Sequence, residues 1–371
     1  MIRFVSTFAL VACLACSLSE ASEIRAAWVT AWNAGFLNEA QADATVEAAR
    51  RAGVKVLYIQ VRKNADSYYE SALEPAGEGY RSGFDPLRYV VAAAHAKDIE
   101  VHAWVNVFRV WTGKDPAAAS AEHVLRQHPE WLNRDFRGSA RAADGMFLDP
   151  GAPGVAEYIA EVVKDIVDRY DVDGIHLDYI RYPGREWGYS PPALARYAAD
   201  TGVSGRPQPS DTRWGDWRRS QVTRTVRLVR DAVHSSKPGL LVSAATVCWG
   251  DYRDDPCKWE SYQNVFQDWS GWVKSGLVDV VAPMNYRAEA TSKGATEFRK
   301  WAAGFRKWIT GTPIYVGIDV QKNTVASVKR QLEAARKHGL DGVSLFAFNS
   351  GAKRDSLVSS LSILGAEASG L

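Results

Sequence analysis

The chain has 371 residues, 46% of them hydrophobic and 24% charged, with a net charge of +2. That is enough apolar material for a full-sized core, and the charge balance leaves no long-range field to collect nucleic acid; nor does any basic run with interleaved aromatics do so locally. Fourteen Trp and fifteen Tyr are a heavy aromatic load, suited both to filling a core and to stacking on sugar rings.

Residues 1–22 read as an export signal: Arg3, an apolar run Phe4–Leu14, then small residues suited to cleavage around Ser19–Ser22. The protein is therefore expected to be exported, periplasmic or secreted. Leu10-Val11-Ala12-Cys13 resembles a lipoprotein processing site, so a lipid anchor at Cys13 is a second reading and the only membrane attachment expected. Beyond this segment the only cysteines are Cys248 and Cys257. An even pair in an exported chain predicts a disulfide closing Trp249–Pro256.

Residues 23–371 read as one domain. Ile24–Trp32 is a first strand and Glu39–Ala52 a helix ended by Gly53; Val54–Arg62 is a second strand, followed by a long polar loop with Asp66, Tyr68 and Tyr69. Asp85 caps a helix through Lys97. Glu100–Val107 is the third strand, with His102, Trp104 and Asn106 on one face. After another long loop with a short helix at Glu122–His128, the helix Val155–Tyr170 leads into Val172–Pro183. In this fourth strand Ile175 and Leu177 share one face, His176 and Asp178 the other. Trp214–Ser236 is a long helix stopped by Pro238. Strands follow at Leu240–Thr246, Val278–Met284, Pro313–Asp319 and Gly342–Phe348, separated by helices around Tyr262–Ser275, Thr296–Trp308 and Val325–His338.

Eight strands alternating with helices predict an α/β fold, a (β/α)8 TIM barrel with long βα loops after strands two to five. An open doubly wound sheet would carry a Gly-rich phosphate turn after an early strand, and none is present. In a barrel the apolar face of each strand meets the helices, so polar residues at strand ends point into one mouth. By that rule Arg62, Asn106, Asp178, Asn285 and Asp319 gather there with Gln60, His176 and Arg181 and the aromatics Trp32, Trp104, Tyr182, Tyr286 and Phe348. Carboxylates, donors and aromatic platforms together describe a carbohydrate site. No metal or other cofactor is expected, since no metal-ligand spacing occurs among the seven His, and no Gly-x-Ser-x-Gly turn supports a serine nucleophile.

Five short stretches, in order, carry a resemblance. They are Arg25-Ala26-Ala27-Trp28-Val29-Thr30; Gln60-Val61-Arg62 followed by Asp66 and Tyr69; His102-Ala103-Trp104-Val105-Asn106; Trp131-Leu132 with Leu148-Asp149-Pro150; and Asp173-Gly174-Ile175-His176-Leu177-Asp178. Together they resemble the glycosyl-hydrolase-like 10 family of exported bacterial (β/α)8 proteins, from Ile24 to Phe348. The resemblance implies hydrolysis of a cell-envelope or dietary polysaccharide, one branch cutting peptidoglycan strands stripped of their peptides. The commonest family pattern has a second Asp after the residue matching Asp178, where this chain has Tyr179. The same stretch is similar to chitinases that use the substrate's acetamido group, but their general acid, a Glu, is replaced here by Ile180, which carries no proton.

Glycosidic cleavage needs a proton for the leaving oxygen and a base, nucleophile or substrate group opposite it. Asp178 is expected to be one of these. For its partner Asp66 ranks first on the family motif, Asp319 second on strand geometry and Glu289 third; Asp66 also fits a loop cap beside Arg62. Arg25, Arg62 and Asn106 would position hydroxyls or a carboxylate of the sugar. The expected partner is a polysaccharide bound by a monomer. Two other readings stand beside the glycosidase: a glycan-binding barrel without catalysis, and an exported scaffold whose aromatic mouth binds another protein.

Overall fold

In the computed structural model, residues 24–81 and 83–368 are described; the expected export segment 1–22, with Cys13, lies outside them. Ten strands occur in chain order: β1 (Ile24–Val29), β2 (Val54–Arg62), β3 (Glu100–Asn106), β4 (Arg109–Trp111), β5 (Met146–Phe147), β6 (Gly174–Asp178), β7 (Leu241–Val247), β8 (Val280–Met284), β9 (Tyr315–Asp319) and β10 (Gly342–Phe346). Eight of them form one parallel sheet in the order β8-β7-β6-β3-β2-β1-β10-β9. A parallel bridge between Val281 and Ile314 joins β8 toward β9, and the Val281 N–H donates to the Pro313 carbonyl at 3.1 Å. The sheet thus comes round on itself, as the alternating pattern predicts.

From β2 on, each barrel strand is reached by a helix, and local sequence sets where several of these helices begin and end. Asn38, Asp85, Asp211, Thr291 and Thr324 each accept from an N–H of the first turn, which satisfies a donor that would otherwise be orphaned. Gly53 ends Glu39–Ala52 at φ 68°, a conformation glycine adopts without steric cost. The apolar stripes of the helices close over Leu57, Ile59, Val101, Val105, Ile175 and Leu177, all wholly buried. This layer between strands and helices is the main core.

A second, smaller core fills the barrel itself, around Trp28, Tyr58, Trp104, Ala282 and Tyr315. Into it His176 points from β6. Trp28 Nε1 donates to His176 Nε2 at 2.9 Å, and His176 Nδ1 lies 2.8 Å from Ser243 Oγ; the Tyr58 ring stacks on it at 3.8 Å. An indole N–H can only donate, so Nε2 accepts and the imidazole proton sits on Nδ1. Burial, with His102 nearby, holds His176 far below its usual range and therefore neutral.

Three elements depart from expectation. The segment expected as one helix over Tyr262–Ser275 is two short ones, Glu260–Gln263 and Trp269–Lys274. The loop after β3 folds into an antiparallel ribbon of β4 on β5, and the loop after β6 carries an additional helix, Pro191–Thr201. The expected disulfide is not formed: Cys248 and Cys257 are both free thiols. Cys248 is packed in the main core at the end of β7, whereas Asp255 caps the 3-10 turn Pro256–Lys258 and leaves Cys257 exposed.

Candidate active site

At the C-terminal mouth of the barrel lies a cavity of about 240 Å3 with Asp178 in its wall. Parallel pairing sets Asp178 opposite Asn106 on β3, two residues above His176; period-two alternation therefore turns the carboxylate inward, above the His176 layer. Asp178 is 8% exposed, and its Oδ1 accepts from the Tyr179 N–H at 2.7 Å. Burial raises its pKa above the ordinary carboxylate value, against the pull of that N–H, of Arg109 and Arg181, and of the Trp104 indole. Trp104 Nε1 is itself buried on the cavity wall, close enough to the Asp178 carboxylate to favour its charged form.

Directly after Asp178 the chain turns through Tyr179 at φ 50°, and this left-handed residue ends the strand's alternation. The Tyr179 ring is brought to the cavity against two guanidinium groups, with Arg109 Cζ 3.9 Å and Arg181 Cζ 4.9 Å from its centre. Arg109 Nη1 donates to the Tyr179 hydroxyl at 2.5 Å. Arginine has no acceptor, so the phenolic oxygen accepts and its own proton is free for another partner. Arg109 Nε is buried without a partner. Arg181 is tied to the Tyr182 carbonyl and to Asp144, at 3.1 and 3.2 Å. Across the cavity Tyr286 stacks on Phe346 at 5.2 Å. Burial, with Asp178 and Asp319 as the nearest charges, raises its hydroxyl far above the usual phenol range.

Of the expected site residues, Asp178, Trp32, Gln60, Trp104, Arg181 and Tyr286 line this cavity. Others lie elsewhere, each for a local reason. Arg62 is turned away by a register shift between Gln60 and Arg62 against β3, a bulge that breaks alternation. It is buried in a bidentate pair with Glu74 and donates to the Asn106 and Val107 carbonyls. Asn106 is used within the protein, donating to the Lys63 carbonyl and accepting from Gln60.

Asp66 caps its own loop, Oδ1 accepting from the Lys63 and Asn64 N–H groups. Asp319 does the same for Gln321 and Lys322 and pairs with the Lys322 ammonium. Neither is on the cavity lining. Glu289 is buried against Arg299 and Arg330.

Asn285 follows Met284 and precedes Tyr286, both of which face the cavity; strict alternation points it outward, where it donates to the Phe298 carbonyl. Tyr182, beyond the left-handed turn, is buried and donates to Asp149. Phe348 lies past the end of β10 in the outer core, and Phe346 takes the inward place. His176 sits one layer below, in the barrel core. Arg25 is at the N-terminal end of β1, the end opposite the mouth.

Sequence reasoning did not place Trp28, Thr30, Arg109, Tyr179, Trp249, Met284 or Phe346 in the site, although all of them line the cavity. Arg109 sits on the three-residue β4 within a loop, where no periodicity extends far enough to mark it. Trp249 stands two residues past the end of β7, outside the alternating stretch.

The profile of the family described as Glycosyl hydrolase-like 10 matches residues 23–334. The chain belongs to the glycosyl hydrolase-like 10 family. The expected resemblance is thereby confirmed over nearly the whole barrel. Among relatives, the chain is 27% identical to "Glycosyl hydrolase YngK" of Bacillus subtilis (strain 168) over 251 residues, covering 64% of this chain and 47% of that one. It is 28% identical to "Glycosyl hydrolase DigH" of Escherichia coli (strain K12) over 292 residues, covering 74% and 64%. The chain thus spans about half to two thirds of the length of these relatives.

In fold it is similar to the PgaB (BpsB) glycoside hydrolase domain from Bordetella bronchiseptica, with a TM-score of 0.68 at 13% identity, covering 92% and 98% of the two chains. It is also similar to alpha-L-fucosidase isoenzyme 2 from Paenibacillus thiaminolyticus, with a TM-score of 0.66 at 15% identity, covering 93% and 49%. At such identity the likeness establishes the glycosyl hydrolase-like 10 chain's barrel fold and nothing of its chemistry.

Proposed function

We propose that the protein is an exported glycosidase that hydrolyses a polysaccharide, peptide-free peptidoglycan strands being the first candidate. The observation that carries this reading is the Asp178 carboxylate, buried among Arg109, Arg181, Tyr179 and Trp104 in an aromatic-walled cavity at the mouth of the barrel. Raised by burial above the ordinary carboxylate value, it suits a group that takes and returns a proton.

Asp178 is the one carboxylate on the cavity lining among the described residues, so the second proton carrier is sought among other groups. Tyr179 fits. Its hydroxyl is kept protonated by burial, and the hydrogen bond it accepts from Arg109 leaves that proton to donate. In the reading adopted, Asp178 removes a proton from a water whose oxygen bonds to the anomeric carbon. The bond from that carbon to the leaving oxygen breaks, and the leaving oxygen takes the Tyr179 proton. Asp178 then returns its proton to the phenolate, which Arg109 stabilises in the interval, and both groups are restored.

The test is to incubate the purified protein with peptide-free peptidoglycan strands, intact sacculi and a panel of neutral and charged polysaccharides, and to read products by mass spectrometry. Oligosaccharides from the peptide-free strands alone are expected. Binding to those strands with no product from any glycan would replace this reading with a non-catalytic glycan-binding barrel.

A further inference from the structure

Two tryptophans at the cavity, Trp32 and Trp249, are 46% and 39% exposed, an unusual outlay of apolar surface. Their positions follow from the topology. Trp32 rises from the loop after β1 and Trp249 from the loop after β7. Around the barrel, β1 and β7 are four strands apart in either direction, through β2, β3 and β6 one way and β10, β9 and β8 the other. The two indoles therefore stand on opposite sides of the mouth, with Asp178 of β6 in the cavity between them.

Each indole is backed by a buried cation. Lys63 Nζ lies 4.2 Å and Arg109 Cζ 5.9 Å from the centre of the Trp32 ring, and Arg181 Cζ 4.9 Å from that of Trp249. Lys63 and Arg181 are only 3% and 6% exposed. Contact with buried cations fixes and polarises each ring, and each ring still leaves a large part of its area to solvent. A rigid, polarised, half-exposed ring is the surface on which the C–H face of a sugar stacks.

Resting on the hydrolase reading above, we propose that Trp32 and Trp249 are sugar-stacking platforms on either side of the scissile bond, so that a glycan chain lies across the mouth and is cut internally. An enzyme that removes terminal sugars closes one end of its site; here both ends of the diameter carry a platform. The ligand class is an extended oligosaccharide with sugars on both sides of the bond over Asp178.

The test uses the full chain, its Trp32→Ala and Trp249→Ala variants and the conservative Trp32→Phe and Trp249→Tyr, with peptide-free strands of graded length carrying a reduced end. From the parent, mean strand length is expected to collapse before small sugars accumulate. Each alanine variant should lose about ten-fold in kcat/KM on long strands, the loss growing with strand length, while the aromatic replacements restore most of it. Melting curves identify any alanine variant that fails to fold, in which case Trp32→Gln or Trp249→Gln, which keeps bulk but offers no ring to stack on, takes its place with the same expectation. Release of mono- or disaccharides from one end from the outset, or alanine variants that match the parent at every length, would overturn the proposal. If the parent releases nothing, the hydrolase reading falls separately, and affinity electrophoresis with the same strands decides the platforms. Weaker retardation of each alanine variant supports them; equal mobility overturns them.

Discussion

Tyr179 adopts φ 50°, a region that side chains other than glycine seldom occupy and that costs of order 1–3 kcal/mol. In return the turn brings a phenol beside Asp178, with Arg109 donating to its oxygen. If that hydroxyl supplies the leaving-group proton, Tyr179→Phe should lower kcat by about 10²–10⁴-fold on a natural glycan. The deficit should nearly vanish on an aryl glycoside whose leaving group needs no proton. A merely structural role would lower both rates alike, so the ratio of the two decides.

At the scale of elements, the loop after β2 is pinned by a buried charge pair. Arg62 and Glu74 side chains are 0% and 1% exposed, 2.7 Å apart, and Glu74 also accepts from Tyr158 on the helix Val155–Arg169 at 2.5 Å. The pair ties this loop to the ends of β2 and β3 and to that helix. Arg62→Met leaves a buried carboxylate without its counter-charge and is expected to destabilise the fold by about 3–5 kcal/mol. A denaturant titration measures this. A midpoint unchanged from the parent would show that the loop is held by its apolar contacts instead.

These elements also mark how far sequence reaches. Alternation within β6 was enough to turn Asp178 inward, and the eight-fold strand–helix recurrence was enough for the barrel. Alternation failed where a strand stopped being regular: the register shift at Arg62, the left-handed turn before Tyr182, and the end of β10 before Phe348. Asp66 and Asp319 illustrate a different limit. A carboxylate at a loop entrance looks the same in sequence whether it faces a ligand or accepts from N–H groups of its own turn, as both of these do. Arg109 was invisible because a three-residue strand carries too little pattern, and the Cys248–Cys257 disulfide was wrongly expected because cysteine parity says nothing of where the side chains point.

For the whole molecule, a sheet that comes round on itself brings residues distant in sequence to one mouth: Trp32, Arg109, Asp178, Trp249 and Tyr286 share a cavity although they lie on five different loops or strand ends. Membership of the glycosyl hydrolase-like 10 family agrees with that arrangement, and within it we propose that Asp178 carries the chemistry. The most direct measurement is the turnover of peptide-free strands by Asp178→Asn beside the parent, with binding followed by calorimetry. Asparagine keeps the size of the side chain and an oxygen to accept from the Tyr179 N–H, but it cannot cycle a proton. Turnover is predicted to fall by at least about 10²-fold with affinity little changed. A variant that cleaves at the parental rate would remove Asp178 from the chemistry and contradict the account.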